Sequence, residues 1–277
     1  MIDDVTFSSR RRKLLAGLGI AATGSLTASL VGRTQIARAQ ESKRGAVVPS
    51  ILAFDVNDST LDINHLQPLF RRLFGDGKVV TEWYCQLVLY SEAITLAGGP
   101  YTPFFELSRA VLKLIGSVHG VTIRQADIDE LDALSATMPP HPDVPPGLKQ
   151  LKDAGFRLVT LTNSPPDAQT KQLGNAGING FFERLFSIDR VRRYKPAPQT
   201  YHMVAEELNV STAEICLISA HVWDNVGAQN AGCQSALIAR PGNAPTPVLE
   251  VPGWPVPAAV GPDLPSVATQ LIKLWRS

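Results

Sequence analysis

The chain has 277 residues, 44% of them hydrophobic and 18% charged, with 26 Lys and Arg against 25 Asp and Glu. Such a composition describes a folded globular protein of one or two domains, and a net charge of +1 gives no electrostatic pull toward nucleic acid or an anionic membrane surface. Cys85, Cys216 and Cys233 lie far apart, with no C-x-x-C and no His pair at ligand spacing, which argues against a disulfide framework or a zinc site and leaves room for one bridge at most.

Taken in chain order, the first element is a targeting segment. "SRRRKLL" at 9–15 precedes a mild apolar stretch from Leu14 to Val31, and small residues follow at Ala37 and Ala39. A basic start, a short apolar region and small residues before a cut are the parts of an export signal. The paired arginines before x-Leu-Leu resemble a twin-arginine signal, which implies a periplasmic protein cleaved after Ala39. The stretch is too weakly apolar for a membrane anchor of about 20 residues. Residues 40–48 then form a polar linker.

"VVPSILAF" ends at Asp55, "FRLVTL" at Thr162 and Asn163, and "EICLIS" at the cluster from His221 to Asp224. Apolar runs of this length without strict alternation fit strands buried on both faces, as in a parallel sheet. "CQSALIAR" makes a fourth strand. Helical patterns follow the strands in "PDAQTKQLGNAG" and "DNVGAQNAG", and "PAPQTYHMVAEELNV" begins with Pro196 and Pro198 where helices tolerate proline. The alternation predicts an α/β, doubly wound, mostly parallel Rossmann-like core over 49–66 and 139–245. Sites in such sheets lie at the carboxyl ends of the strands, where the polar clusters fall.

Between 67 and 138 the period becomes helical throughout, in "PLFRRLF", "VVTEWYCQLVLYSEAITLAG", "PFFELSRAVLKLIGSVHG" and "IRQADIDELDALSATM". This predicts an inserted all-helical cap over the strand ends, closed by a proline-rich hinge, "PPHPDVPPG", before the helix of "GLKQLKDAG". The tail over 246–277 predicts a proline-rich loop, a closing strand near Val260 and a helix in "DLPSVATQLIKLW" packed on the core.

An aspartate at a strand end is often only a helix N-cap. Here four motifs stand in order: "FDVNDSTLD", "LTNSP", "RRYKPAPQTY" and "ISAHVWDNVGA". Together they resemble the haloacid dehalogenase superfamily and, within it, the type II (S)-2-haloacid dehalogenases, over a stretch from about Leu52 to Arg240. The resemblance implies that Asp55 is a nucleophile forming a covalent ester that water later cleaves. It assigns Lys195 to neutralising nucleophile and substrate, and Asp224, with Ser219 and His221 in the same motif, to the hydrolytic water. Thr162 and Asn163 match a donor pair beside a helix N-terminus, a natural carboxylate cradle. Ser59 stands where the family usually has threonine, and Tyr201 lies six residues after Lys195, as the family's tyrosine does.

Asn57 carries the distinction between two chemistries. Phosphatases of this superfamily usually place an acid two residues after the nucleophile to protonate a basic alkoxide; halide is a very weak base and leaves without a proton. Asn57 is no acid, and in an extended segment Asp58 is expected to point elsewhere. The fourth motif offers one carboxylate, Asp224, and a histidine among aromatics, a poor set for Mg²⁺, so neither metal nor organic cofactor is expected. The family also carries Tyr at the position of Asn57, Asn at that of His221, and a cap arginine that helps to hold halide, where the sequence aligns Trp83. Trp83, Trp223, Tyr90 and Phe104 are candidates for an aromatic halide cradle.

The expected function is hydrolytic dehalogenation of a short 2-haloalkanoic acid by a hydrolase acting on carbon–halide bonds. Its partner is the small-molecule haloacid, with no nucleic acid and no membrane after signal cleavage, and the family leaves room for a homodimer. Two alternatives stand beside it: a Mg-dependent phosphatase of the same superfamily, and a catalytically degenerate periplasmic binding or accessory protein.

Overall fold

A computed structural model describes residues 47–241 and 256–277. The expected export signal and its cleavage point lie outside the described residues, as does most of the proline-rich loop.

The core is one six-stranded sheet of β1 (Ile51–Phe54), β2 (Arg157–Thr162), β3 (Arg184–Ser187), β4 (Ile215–Ser219), β5 (Gln234–Ile238) and β6 (Ala259–Gly261). All pairings are parallel, in the order β3-β2-β1-β4-β5-β6. β1 and β4 are buried along their whole length, which is why both read as unbroken apolar runs rather than alternating ones. Each fully buried Leu, Ile or Phe there contributes about 1.5–3 kcal/mol. β3 was not expected: it is a four-residue edge strand whose first residue, Arg184, is exposed, so it carries little hydrophobic signal.

The chain leaves β1 toward β2 and β3, then returns to the other side of β1 as β4. At such a reversal the connections part and leave a crevice beyond the carboxyl ends of the two central strands. Phe54 is paired with Ile218, so the residues after β1 and β4, Asp55 and Ala220–His221, emerge side by side.

Four helices lie between β1 and the rest of the core: α1 (Gln67–Phe74), α2 (Val79–Ala97), α3 (Phe104–Val118) and α4 (Gln125–Ala136). α1 and α2 end on Gly75 and Gly98, both with positive φ, where a side chain would be strained. Their inner faces bury Phe70, Val80, Trp83, Leu87, Leu112 and Leu131 in an apolar seam continuous with the core. α5 (Val144–Asp153) starts earlier than expected, with Pro145 and Pro146 inside its first turn rather than in a hinge, because proline's missing N–H costs nothing there. α6 (Pro166–Asn175), α7 (Pro198–Leu208), α8 (Val222–Asn230) and α9 (Leu264–Trp275) complete the described helices. No described helix is long and apolar enough to cross a membrane.

Candidate active site

β1 stops at Asp55 because the chain folds back at once. The amides of Thr60 and Leu61 both donate to the Val56 carbonyl at 2.9 Å, and the Thr60 hydroxyl donates to the Asp55 carbonyl. The Arg240 guanidinium donates to the Ser59 carbonyl at 2.9 Å while paired with Asp143 at 2.6 Å, so the end of β5 clamps this loop. Ser59 therefore faces back toward the strand end, its hydroxyl 2.5 Å from Asp55 Oδ2 and accepting from the Ala220 amide at 2.8 Å.

Around Asp55 the charges interlock. Lys195 Nζ sits 2.7 Å from Asp55 Oδ1 and 2.7 Å from Asp224 Oδ2, and donates to the Leu161 carbonyl at 3.2 Å. The Tyr201 hydroxyl donates to the other Asp224 oxygen at 2.6 Å. On its second oxygen Asp55 meets His221 Nδ1 at 3.1 Å, and the far side of that ring, Nε2, lies 3.2 Å from Asp58 Oδ2. The imidazole stacks on Trp223 with ring centres 5.1 Å apart, and Tyr84 lies 5.7 Å away. Lys195 Nζ also lies 5.8 Å from the Trp223 ring centre, a cation–π distance.

These contacts decide the protonation states. Burial is the largest influence on Asp55 and pushes its pKa up, but Lys195 and His221 outweigh it and hold the carboxyl well below its usual range. Burial likewise disfavours charge on His221, yet its bonds to Asp55 and Asp58 raise it to about 9. Lys195, buried between two carboxylates, is held charged above its ordinary value. Asp224 is pushed upward, chiefly by burial and by the nearby Asp55 charge, with Lys195 and Tyr201 opposing. Lys195 and His221 are thus both held as cations at neutral pH, beside the carboxyl groups of Asp55, Asp58 and Asp224.

A cavity of about 500 Å³ opens onto this cluster between α2 and the β4–α8 turn, with Asp58, Tyr84, Cys85, His221 and Trp223 in its wall. Asp55 does not itself line this cavity; its side chain is 6% exposed and meets the cavity wall through His221.

A family model described as haloacid dehalogenase-like hydrolase matches residues 51–232, well over half of the sequence. The chain belongs to the haloacid dehalogenase-like hydrolases. Among curated relatives it is 28% identical to haloacetate dehalogenase H-2 of Moraxella sp. (strain B) over 212 residues, 74% of this chain and 92% of that one. It is 27% identical to an (S)-2-haloacid dehalogenase of Xanthobacter autotrophicus over 190 residues, 68% and 74% of the two chains. A solved L-2-haloacid dehalogenase of 26% identity superposes with a TM-score of 0.74, covering 81% of this chain and 98% of its own.

Within this hydrolase fold, the structure brings Asp55, Ser59, Lys195, Tyr201, Ser219, His221 and Asp224 into one contact network. Ser219 Oγ accepts from the His221 amide at 3.1 Å and lies 3.4 Å from Ser59 Oγ. Thr162 and Asn163 are turned to internal work: Thr162 accepts from the Ser164 amide at 3.2 Å, and Asn163 Oδ1 from the Lys195 amide at 3.2 Å. The Asn57 side chain donates to Ser164 Oγ at 3.0 Å and leaves its own Oδ1 buried without a partner. Asp224 is not the N-cap of α8, a place taken by His221. Nor does it meet the cavity, since it is fully buried with both oxygens engaged.

Three expectations are corrected. Trp83 does not face the cavity; it is buried against Phe70, and its indole N–H donates to the Ser108 carbonyl at 3.1 Å. It is Tyr84, one residue and about 100° further round the helix, that lies against His221 and reaches the Asn57 carbonyl at 3.4 Å. Tyr90 is exposed at 40%, and Phe104 packs on Tyr194, leaving Trp223 as the expected aromatic that meets the cavity. Asp58 does not point away: with φ of 64° it turns into the cavity wall, and its carbonyl accepts from His141 Nε2 at 3.0 Å. A single non-glycine residue in the left-handed region reverses the side alternation that an extended segment implies. The three cysteines are all free.

The residues do not fit a hard divalent cation. Mg²⁺ needs carboxylate oxygens facing one point, but Asp55 and Asp224 are joined by the Lys195 ammonium, and Asp55 Oδ2 receives donors from Ser59 and His221.

Proposed function

We propose that this hydrolase displaces halide from a short 2-haloalkanoic acid and releases the 2-hydroxy acid through an ester on Asp55. The observation that carries this reading is the pairing of a buried, ionised Asp55 with an amide at the place of a second acid. Asp55 is held anionic by Lys195, Ser59 and His221, out of bulk water, so its oxygen is a competent nucleophile with little hydration to shed. Asn57 cannot deliver a proton and is tied to Ser164, which suits a leaving group that departs as a stable anion. Attack by an Asp55 oxygen on C2 forms the C–O bond as the C–halogen bond breaks, and the halide takes the electron pair. The names of the two curated relatives described above, a haloacetate dehalogenase and an (S)-2-haloacid dehalogenase, agree with this assignment.

Lys195 keeps a positive charge beside Asp55, which draws in the anionic substrate and offsets charge near the reacting oxygen. Asp224 and Tyr201 hold Lys195 in place from behind. The test is halide release from L-2-chloropropionate in excess EDTA, with Asp55→Asn as control. Release that persists in EDTA and vanishes in the variant supports the reading. No release from chlorinated or brominated acids removes it.

A further inference from the structure

We propose that His221, oriented by Asp58, is the acid–base residue that hydrolyses the Asp55 ester, becoming a base only after the ester has formed. This rests on the dehalogenase reading above and assigns its second half-reaction. Water needs a proton acceptor near the Asp55 carboxyl carbon. Asp224 does not provide one from the cavity side: it is fully buried, with one oxygen on Lys195 and the other on Tyr201. His221 does lie between Asp55 and the cavity. Its Nδ1 is 3.1 Å from Asp55 Oδ2 and its Nε2 3.2 Å from Asp58 Oδ2, and its ring forms part of the cavity wall.

The groups facing His221 define how it switches. The loop after β1 presents the carboxylates of Asp55 and Asp58, α2 presents the Tyr84 ring, with Cys85 and Glu92 farther round the cavity, and α8 presents the neutral Trp223 ring. Lys195 holds the far oxygen of Asp55 and is itself held by Asp224. In the free enzyme two carboxylates keep the imidazole charged, and burial opposes them. Alkylation of Asp55 abolishes one of those charges, so burial and a single carboxylate remain. The imidazolium then releases a proton through the cavity and retains its Nε2–H on Asp58. This leaves the Nδ1 lone pair directed at the ester.

The proton balance closes. Nδ1 takes a proton from water as the hydroxide adds to the Asp55 carboxyl carbon. The tetrahedral species then breaks the bond between the Asp55 carboxyl carbon and the alkoxy oxygen, and His221 returns the proton to the departing 2-alkoxide. The new carboxylic acid of Asp55 ionises, and its proton restores the imidazolium. One proton and one halide leave per turnover, matching the overall hydrolysis. Asp58 acts as a positioning residue: its left-handed backbone and the His141 contact to its carbonyl hold the carboxylate on Nε2.

The experiment is rapid-quench halide release from 2-bromopropionate, with intact-protein mass measured in parallel, for wild type, His221→Gln and Asp58→Asn. His221→Gln is expected to give a burst near one halide per chain, then turnover at least about 10²-fold slower, with the alkyl ester visible as added mass. A full burst also demonstrates that the variant is folded. Asp58→Asn retains a residue suited to the left-handed backbone; removing the carboxylate lowers the His221 pKa, so the acid limb of turnover moves to lower pH. Burst and turnover lost together in His221→Gln, with no ester mass, would overturn the proposal while leaving wild-type dehalogenation intact. An unmoved acid limb in Asp58→Asn would also overturn it. Absence of halide from wild type removes the dehalogenase reading and this inference with it.

Discussion

Replacing Lys195 by Met separates the electrostatic role of this residue from its bulk. The ammonium is 1% exposed and lies 2.7 Å from each of two carboxylates. At an effective dielectric of about 20 each contact corresponds to roughly 6 kcal/mol of Coulomb attraction, most of it offset by the cost of burying the charges. Removing one partner of such a group leaves uncompensated buried charge and costs about 3–5 kcal/mol. For a chain of this size that is a fall in Tm on the order of 10 °C. The pH dependence gives the sharper test. In the wild type Asp55 is held below its usual range, so its contribution to stability is present above the unfolded carboxylate's pKa near 4 and is lost as pH falls through the folded value. Asp224 already stands above its ordinary value, and without Lys195 burial and the Asp55 charge raise it further. That group destabilises the fold at high pH and is relieved by protonation as pH drops. The deficit of Lys195→Met relative to wild type, measured by urea unfolding, should therefore be largest near pH 8 and shrink toward pH 5. An equal deficit at both pH values, or one under about 1 kcal/mol, would refute the claim that Lys195 is held by these two charges.

Three other outcomes are expected. A Cβ at Gly227 would lie 2.5 Å from Pro196 Cβ and 2.6 Å from the Tyr201 hydroxyl; Gly227→Ala should push the Lys195 loop away from Asp224 and cut kcat at least tenfold with a loss of about 1–3 kcal/mol in stability, seen by steady-state kinetics alongside a thermal melt. Trp83→Ala should cost about 3–5 kcal/mol of stability by opening a cavity beside Phe70, whereas Tyr84→Phe should leave the melt nearly unchanged and alter KM; the reverse pattern would restore Trp83 as a substrate residue. On the proposed export route, the full chain expressed in a bacterium with a twin-arginine pathway should be recovered from the periplasm beginning at Gln40, checked by N-terminal sequencing.

The sequence alone determined five of the six strands of the sheet and, through the family resemblance of its motifs, the central charges Asp55, Lys195 and Asp224. β1 and β4 are apolar on both faces because both faces are covered, so each run ends abruptly at the first polar residue, and those endpoints are where Asp55 and the His221–Asp224 cluster lie. Lys195 and Tyr201 were legible through the resemblance of "RRYKPAPQTY" to the family's motif, not through any local pattern of their own. β3 was not, because an edge strand with a charged start leaves no apolar run to read.

Tertiary structure decided which way the neighbouring side chains face. On α2 the choice between Trp83 and Tyr84 is a rotation of one residue, fixed only when Trp83 finds Phe70 and the Ser108 carbonyl on α3. Asp58 turns into the cavity because its carbonyl is held by His141 and its loop by Arg240, residues 83 and 181 or more positions from their partners. His221 gains its charge from two carboxylates more than 160 positions earlier in the chain. Local pattern records which residues must be buried, since water sets that rule for each element separately. Whether a side chain meets the reacting atom depends on contacts between distant segments, which form only when the chain is folded.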